Sequence, residues 1–564
     1  MTDTLSSLPL VKYVDERISV NEKESFSFVR GPNQMSHQQI PAESVSSGAV
    51  RWSAVPPNIN TVVDKHMRAR IRVRAVFDAA PAFGTLVGLR QNPLSSVTET
   101  LSLTLNGTQV SQDLRDTINA LSHYSDLTDR ESDTFCPNMA DQYQQYDDAI
   151  AFGNARNPLA EYGANSTQQT RDPRNYSVTL VTGTTYDIEW VEPIYISPLG
   201  WGDRQDLGLF GLRNLSVQFT LTNDLKRMFS IAKSSAANLT SVSFPDGEKP
   251  DLELTYMTLD VAQEIPRVVS WDLYEINRFV ADSADFLTPR DINGTMAASK
   301  PMLSPTIQLA SIPERMYVFL APFVQKYRVG GVDVDRNINE KDSDTYAYIS
   351  KANLTFDGQN GILSGASAHD LYQMSREAGS QQSWAQYSRF QGSVLALDFG
   401  KSIPLGPLAA AGVRSQNGSG WTLQLQVNYQ NPGEYEDPTV DGNIVSSRYR
   451  MYVITVQKGL LQLIDGNMVK QQGVFTSDDV VSAKDTYGNT RELRFVYGGR
   501  SFFSKIGSVL KTASKVGNAV LPAAAALGIP GASQANFVNK AVRGRGGASG
   551  GKLVSRSRMI DALM

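Results

Sequence analysis

The sequence predicts an all-β chain of two tandem β-sandwiches, followed by an amphipathic helix and a basic, flexible tail. Three observations support this. Segments of period-two apolar alternation recur between residues 67 and 459, the pattern of strands that bury one face. The two halves end alike, LSVQFTLTND…LELTYMTLD against TLQLQVNYQNP…MYVITVQKG, and each places one short helix between strands in its middle. This is a weak internal duplication rather than a short-period repeat. Composition then changes near residue 490. From Arg491 onward there are twelve Lys/Arg and two acids, Glu492 and Asp561, so that tail is +10 and the rest of a chain of net charge −4 is −14.

A chain of 564 residues is too long for one ordinary core. The expected division is an N-terminal arm over 1–60, a first sandwich over 61–262 with a long loop insertion at about 126–207, a second sandwich over 263–490, and the helix and tail over 491–564. The arm is polar and turn-rich and closes at VPPN, 55–58. The clearest strand follows. Met67, Ala69, Ile71, Val73, Ala75 and Phe77 share one face and Arg68, Arg70, Arg72 and Arg74 the other. Those arginines read as a solvated face or as partners for acidic neighbours, with an interface or nucleic-acid contact as the alternative. Residues 100–110 form a second strand ending at an Asn106–Gly107 turn. A short helix comes next, with Ser111 as cap and Leu114, Ile118 and Leu121 as its buried stripe. Residues 126–207 read as a polar surface excursion containing a few strands, notably 185–196; strands at 212–224 and 251–260 close the half.

The second half has strands at 271–280 and 306–323, then a strand–helix–strand unit over 352–399. Its helix carries its own punctuation: Ser367 as N-cap, Asp370 three residues on, and Gly379 at C′. Leu371, Met374 and Ala378 form one apolar stripe, which makes the helix a packing element; His369 reads as surface or capping chemistry. Strands at 422–432 and 449–459 follow. In the tail, Phe502, Phe503, Ile506, Val509, Leu510 and Val516 fall on one arc of a helix over 501–520 that Pro522 ends.

The material for catalysis is thin. Cys136 is the only cysteine, which leaves no intrachain disulfide and fits a reducing compartment. The four histidines, His37, His66, His123 and His369, are scattered. The N-terminus lacks the apolar run of a secretory signal, so secretion is not expected and the eight Asn-x-Ser/Thr sequons read as turn and strand-edge chemistry. No run reaches the roughly 18 apolar residues of a spanning helix. GGASGGKL (546–553) has phosphate-loop spacing, but Leu553 stands where a Mg²⁺-binding Ser or Thr belongs, and the GxSxG around Ser549 lacks a strand before it and a helix after it. Asp333, Asp335, Asn337, Asn339 and Asp344 have EF-loop spacing, yet Ile338 replaces the turn glycine; a solvated acidic loop is the better reading. No cofactor or metal is expected.

Four passages resemble one family. They are FSFVRGPNQ…HMRARIRV (26–73) with its Pro-Pro-Asn turn, IQLASIPERMYVFLAP (307–322), GILSGASAHDLYQMSREAG…W…GSVLALDFGKSIPL (361–405), and LQLQVNYQNP…YRMYVITVQKGLLQLIDGNM (423–468). Together they resemble the double jelly-roll major capsid proteins of double-stranded DNA viruses, in the versions of Polintons, adintoviruses and Polinton-like viruses within the adenovirus–tectivirus lineage. The match covers most of residues 25–485 and is dense only in the second half. The resemblance implies two tandem eight-stranded jelly rolls with short flanking helices. It further implies a structural protein without enzymatic activity, whose homotrimers form hexon-like, pseudo-hexagonal capsomers tiling an icosahedral virion assembled inside the host cell. Expected partners are the chain itself and penton or minor capsid proteins. The tail has three readings: a scaffold-side interaction tail; contact with packaged DNA or a membrane through Lys540, Arg543, Arg545, Lys552, Arg556 and Arg558 or through the 501–520 helix; or proteolytic maturation at Gly498–Gly499, Gly546–Gly547 or Gly550–Gly551. The rival classes are a tandem β-sandwich carbohydrate-binding or glycosidase-like protein and a single-jelly-roll RNA-virus capsid protein with a protruding domain.

Overall fold

The Arg68–Phe77 strand shows why the first half folds as it does. Ala69, Ile71, Val73, Ala75 and Phe77 are buried and the residues between them are not, so one face leaves water at roughly 1.5–3 kcal/mol for each large apolar side chain. The other face is a cross-strand ion lattice. Arg70 meets Glu253 at 2.8 Å and Glu189 at 3.2 Å, Arg72 meets Glu189 at 2.5 Å and also Glu248, and Arg74 meets Asp187 at 2.8 Å. Glu189 lies directly opposite Arg72 and Asp187 opposite Arg74; such solvent-screened pairs favour this register but add little to stability.

The chain is seen in a computed structural model that describes residues 10–13, 25–28, 34–57, 61–83, 86–124, 176–199, 208–231, 235–258, 268–282, 284–405, 421–433, 436–464 and 467–472. In the first sandwich, the Arg68–Phe77 sheet runs Ser177–Thr182, Thr185–Pro193, Arg68–Phe77, Asp251–Thr258, Gln34–Pro41, with Leu239–Ser243 and Thr61–Val63 attached. The facing sheet runs Thr108–Gln112, Thr98–Leu105, Leu215–Leu221, Ala49–Ala54, Ser44–Ser46. Between them lie Trp52 and Phe219, edge-to-face at 5.8 Å, with Ile71, Leu103, Trp190 and Val217. In the second sandwich one sheet runs Val268–Val280, Ile444–Ile464, Arg315–Val329, Val332–Asn337, with Val394–Asp398 and Asn467–Gln472 attached. The other runs Lys300–Leu303, Trp421–Gln430, Tyr348–Phe356, Gln359–Ile362, with Ile307–Leu309 attached.

The helix of the second half is capped as expected. It spans Ala368–Glu377, the Ser367 and Asp370 side chains exchange hydrogen bonds with each other's backbone, and Gly379 follows at φ 105°. Leu371 and Ala378 are buried and Met374 is half-buried. His369 is exposed, with its ring 4.1 Å from that of Trp384.

Several expectations need correction. Residues 34–54, expected in the arm, supply strands to both sheets of the first sandwich, because Val50, Trp52 and Ala54 alternate into its core. Ser111 caps no helix. Asn106 and Gly107 both have positive φ (47° and 85°), the chain reverses there, and Ser111 pairs within Thr108–Gln112; the helix is Ile118–Leu121, with Thr117 at its N-cap. Leu114, Ile118 and Leu121 are buried nonetheless. The strand expected over 185–196 forms, as Thr185–Pro193, but as an inner strand rather than on a surface excursion, with Ile188 and Trp190 in the core and Asp187 and Glu189 facing the arginines. The 306–323 stretch is two strands in opposite sheets, Ile307–Leu309 and Arg315–Val329, broken where Pro313 offers no backbone donor. The supposed acidic loop begins as the paired strand Val332–Asn337, and its last two acids, Asp342 and Asp344, are held by arginines.

Candidate functional site

Because both sandwiches lie in one compact unit, the surface between them is the feature most relevant to function. It is built from three layers.

The first is apolar. The Ile118–Leu121 helix and the 3-10 turn Ser122–Tyr124 push Ala120, Leu121 and Tyr124 against the outer side of the second sandwich. There they join Tyr317, Phe319, Val394, Ala396, Tyr452 and Ile454, with Ala378 from the Ala368–Glu377 helix. Phe319 stacks on Tyr452 at 4.9 Å, and Tyr124 meets Tyr317 edge-on at the same spacing. The Tyr124 hydroxyl donates to the Val394 carbonyl at 2.6 Å, and the Gln381 amide donates to the His123 carbonyl at 2.8 Å. Burial drives the Tyr124 pKa well up, so the phenol stays a donor. The two short helices that echo each other in sequence thus meet at the seam.

The second layer is ionic and centres on Arg90. Its segment is fixed locally: Asn92 adopts a left-handed φ of 51°, Pro93 starts the one-turn helix Pro93–Ser96, and the buried Glu192 carboxylate accepts from the Leu94 and Ser95 amides at 2.8 and 3.0 Å. That places the Arg90 side chain, 1% exposed, across the seam. It donates to the Phe229 carbonyl at 3.0 Å on its own side, and to the carbonyls of Asp342 (2.6 Å) and Asn339 (3.3 Å) on the other. It also lies 3.2 Å from Asp344. Arg227 pairs with the same carboxylate, and Asn119 donates to it at 3.1 Å. Burial works to raise the Asp344 pKa, but the charges of Arg227 and Arg90 outweigh it and hold the carboxyl below its ordinary value. Nearby, Arg278 reaches across to Asp113 and, at 3.1 Å, Asp116. Burial and the Asp116 charge nevertheless leave the Asp113 pKa raised.

In the third layer the end of the second half enters the first core. Trp271, Leu461 and Met468 are buried with the first-sandwich cluster, and the Thr108 hydroxyl donates to the Met468 carbonyl. A cleft of about 450 Å³ remains open beside the ionic layer, lined among others by Arg115, Asn119, Asp344, Phe323, Arg450 and Tyr452. Among the described residues no three His, Cys, Asp or Glu side chains are grouped to hold a metal ion.

The tail residues singled out from sequence lie outside the described residues: Lys540, Arg543, Arg545, Lys552, Arg556 and Arg558, and Phe502, Phe503, Ile506, Val509, Leu510 and Val516 of the expected helix. The sequence does not single out Arg90 or Arg227, and it presents Asp344 only as part of a solvated acidic loop, whereas the structure pairs it with both arginines. One signal was available for the first: Arg90 is a lone charge within the otherwise uncharged stretch 79–98, and such a charge is seldom buried unpaired.

The two sandwiches share core residues and lie in one compact unit, which makes them a single double body. Comparison with known proteins agrees. Residues 9–262 match the family model described as the Sputnik virophage major capsid protein 1st domain, and residues 286–390 match the major capsid protein V20 C-terminal domain. The chain is 26% identical over 563 residues to the putative capsid protein V20 of Sputnik virophage, covering 92% of this chain and 89% of the relative. A chain of the Sputnik virophage cryo-EM structure superposes with TM-score 0.65 at 24% identity, covering 88% of this chain and 98% of that one. The mavirus major capsid protein superposes at 0.60 with 15% identity, covering 84% and 98%. The chain is a double jelly-roll major capsid protein of the double-stranded DNA virus type. Within that class it is of the virophage and large DNA virus kind, a structural protein and not an enzyme.

Proposed function

We propose that three copies of this chain assemble into a pseudo-hexagonal capsomer and that these capsomers tile an icosahedral shell. The seam carries the reading. Arg90, Asp344 and the Tyr124 cluster hold two similar rolls side by side as one body, so three chains present six similar units, the number a hexagonal lattice position requires. Cyclic closure of identical chains through head-to-tail contacts gives such a ring without further components. The place of the protein is then the virion, with penton or minor capsid proteins completing the shell. The basic tail serves contacts on the inner side of the shell, with DNA, a membrane or a scaffold, through the lysines, arginines and helix named above.

Mass photometry of the purified full chain tests the first step. The expected species has three times the 61.8 kDa mass of the chain, and negative-stain images of it should show six-lobed particles. A persistent monomer across the micromolar range would refute the reading.

A further inference from the structure

The outer face of the Arg315–Val329 and Ile444–Ile464 strands carries a ladder of cations and rings. The Lys326 ammonium lies 4.3 Å from the Phe286 ring centre, and the Arg448 guanidinium 5.6 Å from the same ring and 4.6 Å from Phe323. Arg450 lies 4.9 Å from Phe323 on the other side. Register explains the alignment. Arg448 and Arg450 are two apart on one strand and so share a face, and Lys326 is opposite Ser446 on that same face. Phe323 is the extra residue of a bulge between the Pro322–Tyr449 and Val324–Arg448 pairs, which turns its ring in between the two arginines. All five side chains are partly buried and partly open to solvent, and Phe323 and Arg450 reach the cleft at the seam.

The arginines around them are all paired: Arg115 with Glu99 and Asp116, Arg227 with Asp344, Arg278 with Asp113 and Asp116, Arg336 with Asp342. Among the described residues Arg448 and Arg450 have no carboxylate within 4.0 Å, and Lys326 closes no ion pair with Asp335, its opposite in the hairpin. The Nε of Arg448 is buried and lacks any hydrogen-bond partner. The cleft's own acids are engaged, Asp116 and Asp344 by arginines and Asp224 as the cap of Lys226. Stacked on a ring, each guanidinium leaves part of its donor edge for a carboxylate; the Arg448 Nε is buried and one Arg450 donor faces the Tyr452 hydroxyl.

We infer that the Phe286–Arg448–Phe323–Arg450 strip is a contact surface for carboxylate side chains of a second copy of this chain. The charge balance selects that occupant. The chain outside its tail carries a net −14, so a neighbouring copy has carboxylates in excess, and these two stacked arginines pair with none of the described ones. The inference rests on the proposed self-assembly and assigns one of its contacts.

The test uses the full chain with R448E/R450E, the milder R448A/R450A, and R448K/R450K. Oligomer mass is measured against concentration and from 0.05 to 0.5 M salt, with near-UV circular dichroism and melting temperature as controls of fold. Association is expected to weaken roughly a hundredfold in R448E/R450E and about tenfold in R448A/R450A. The lysine variant should be intermediate, and the wild-type oligomer should weaken with salt. Wild-type assembly of the folded alanine or glutamate variant would overturn the inference and leave capsomer formation standing. A wild-type chain that stays monomeric would instead remove the self-assembly reading itself. Binding of wild-type protein but not R448E/R450E to phosphatidylserine vesicles, with oligomers intact in both, would also overturn it and assign the strip to phosphate.

Discussion

Replacing Arg90 with methionine tests the seam most directly. The side chain keeps its length but loses the ion pair to Asp344 and the donors that serve the Asp342, Asn339 and Phe229 carbonyls. Removing one partner of a buried ion pair costs about 3–5 kcal/mol. Arg227 remains on Asp344 and limits the loss there, while each orphaned carbonyl adds of order 1 kcal/mol. A destabilisation of about 3–5 kcal/mol is therefore expected, and it falls on the contact between rolls rather than on either core. In urea, intrinsic fluorescence follows side-chain packing in both rolls, through Trp52, Trp190 and Trp271 in the first core and Trp421 in the second sandwich, and far-UV circular dichroism follows the backbone of both. Wild type should unfold with the two probes coincident, and R90M with separate transitions. Adding Asp344→Asn to R90M should cost less than the sum of the two single changes, because the pair is removed together. A loss under about 1 kcal/mol with coincident probes would refute the role assigned to Arg90.

The seam and the second sandwich should also weaken in acid. Asp344 and Asp398 both have lowered pKa values, the second despite burial because Arg315 and Lys401 hold it at 2.6 and 3.1 Å. A depressed folded pKa gives stability that is present above the unfolded value of about 3.9 and lost as pH falls through the folded one. Asp113, raised, has the opposite sign: its contribution is full below the unfolded value and lost as pH rises through the folded one. The urea midpoint should drop below about pH 4, and D344N/D398N should flatten that drop; an unchanged slope would contradict the assignment. Leu371→Asp places a carboxylate at a fully buried position and should abolish soluble, assembling protein; normal assembly would show that the helix is no packing element. Ser367→Ala removes a formed capping box and should cost about 0.5–2 kcal/mol, read as a lower melting temperature with assembly retained.

Alternation alone determined the Arg68–Phe77 and Leu215–Leu221 strands with their buried faces, and local capping chemistry determined the helix from Ser367 to Gly379. These are short-range properties: period two selects a half-buried strand, and a capping box closes within one turn. The tandem plan was legible for the same reason, as each half repeats its own local pattern. Only the tertiary structure decided which sheet a strand joins. Ile307–Leu309 and Arg315–Val329 look like one strand in sequence because both are apolar, and they part because opposite sheets bury them. Only the tertiary structure, too, brought Arg90 to Asp342 across 252 positions of sequence, and turned an acidic stretch with EF-like spacing into the ionic half of the seam. A side chain's partner is set by where the sheets place it, and spacing along the chain carries no record of that when hundreds of residues intervene.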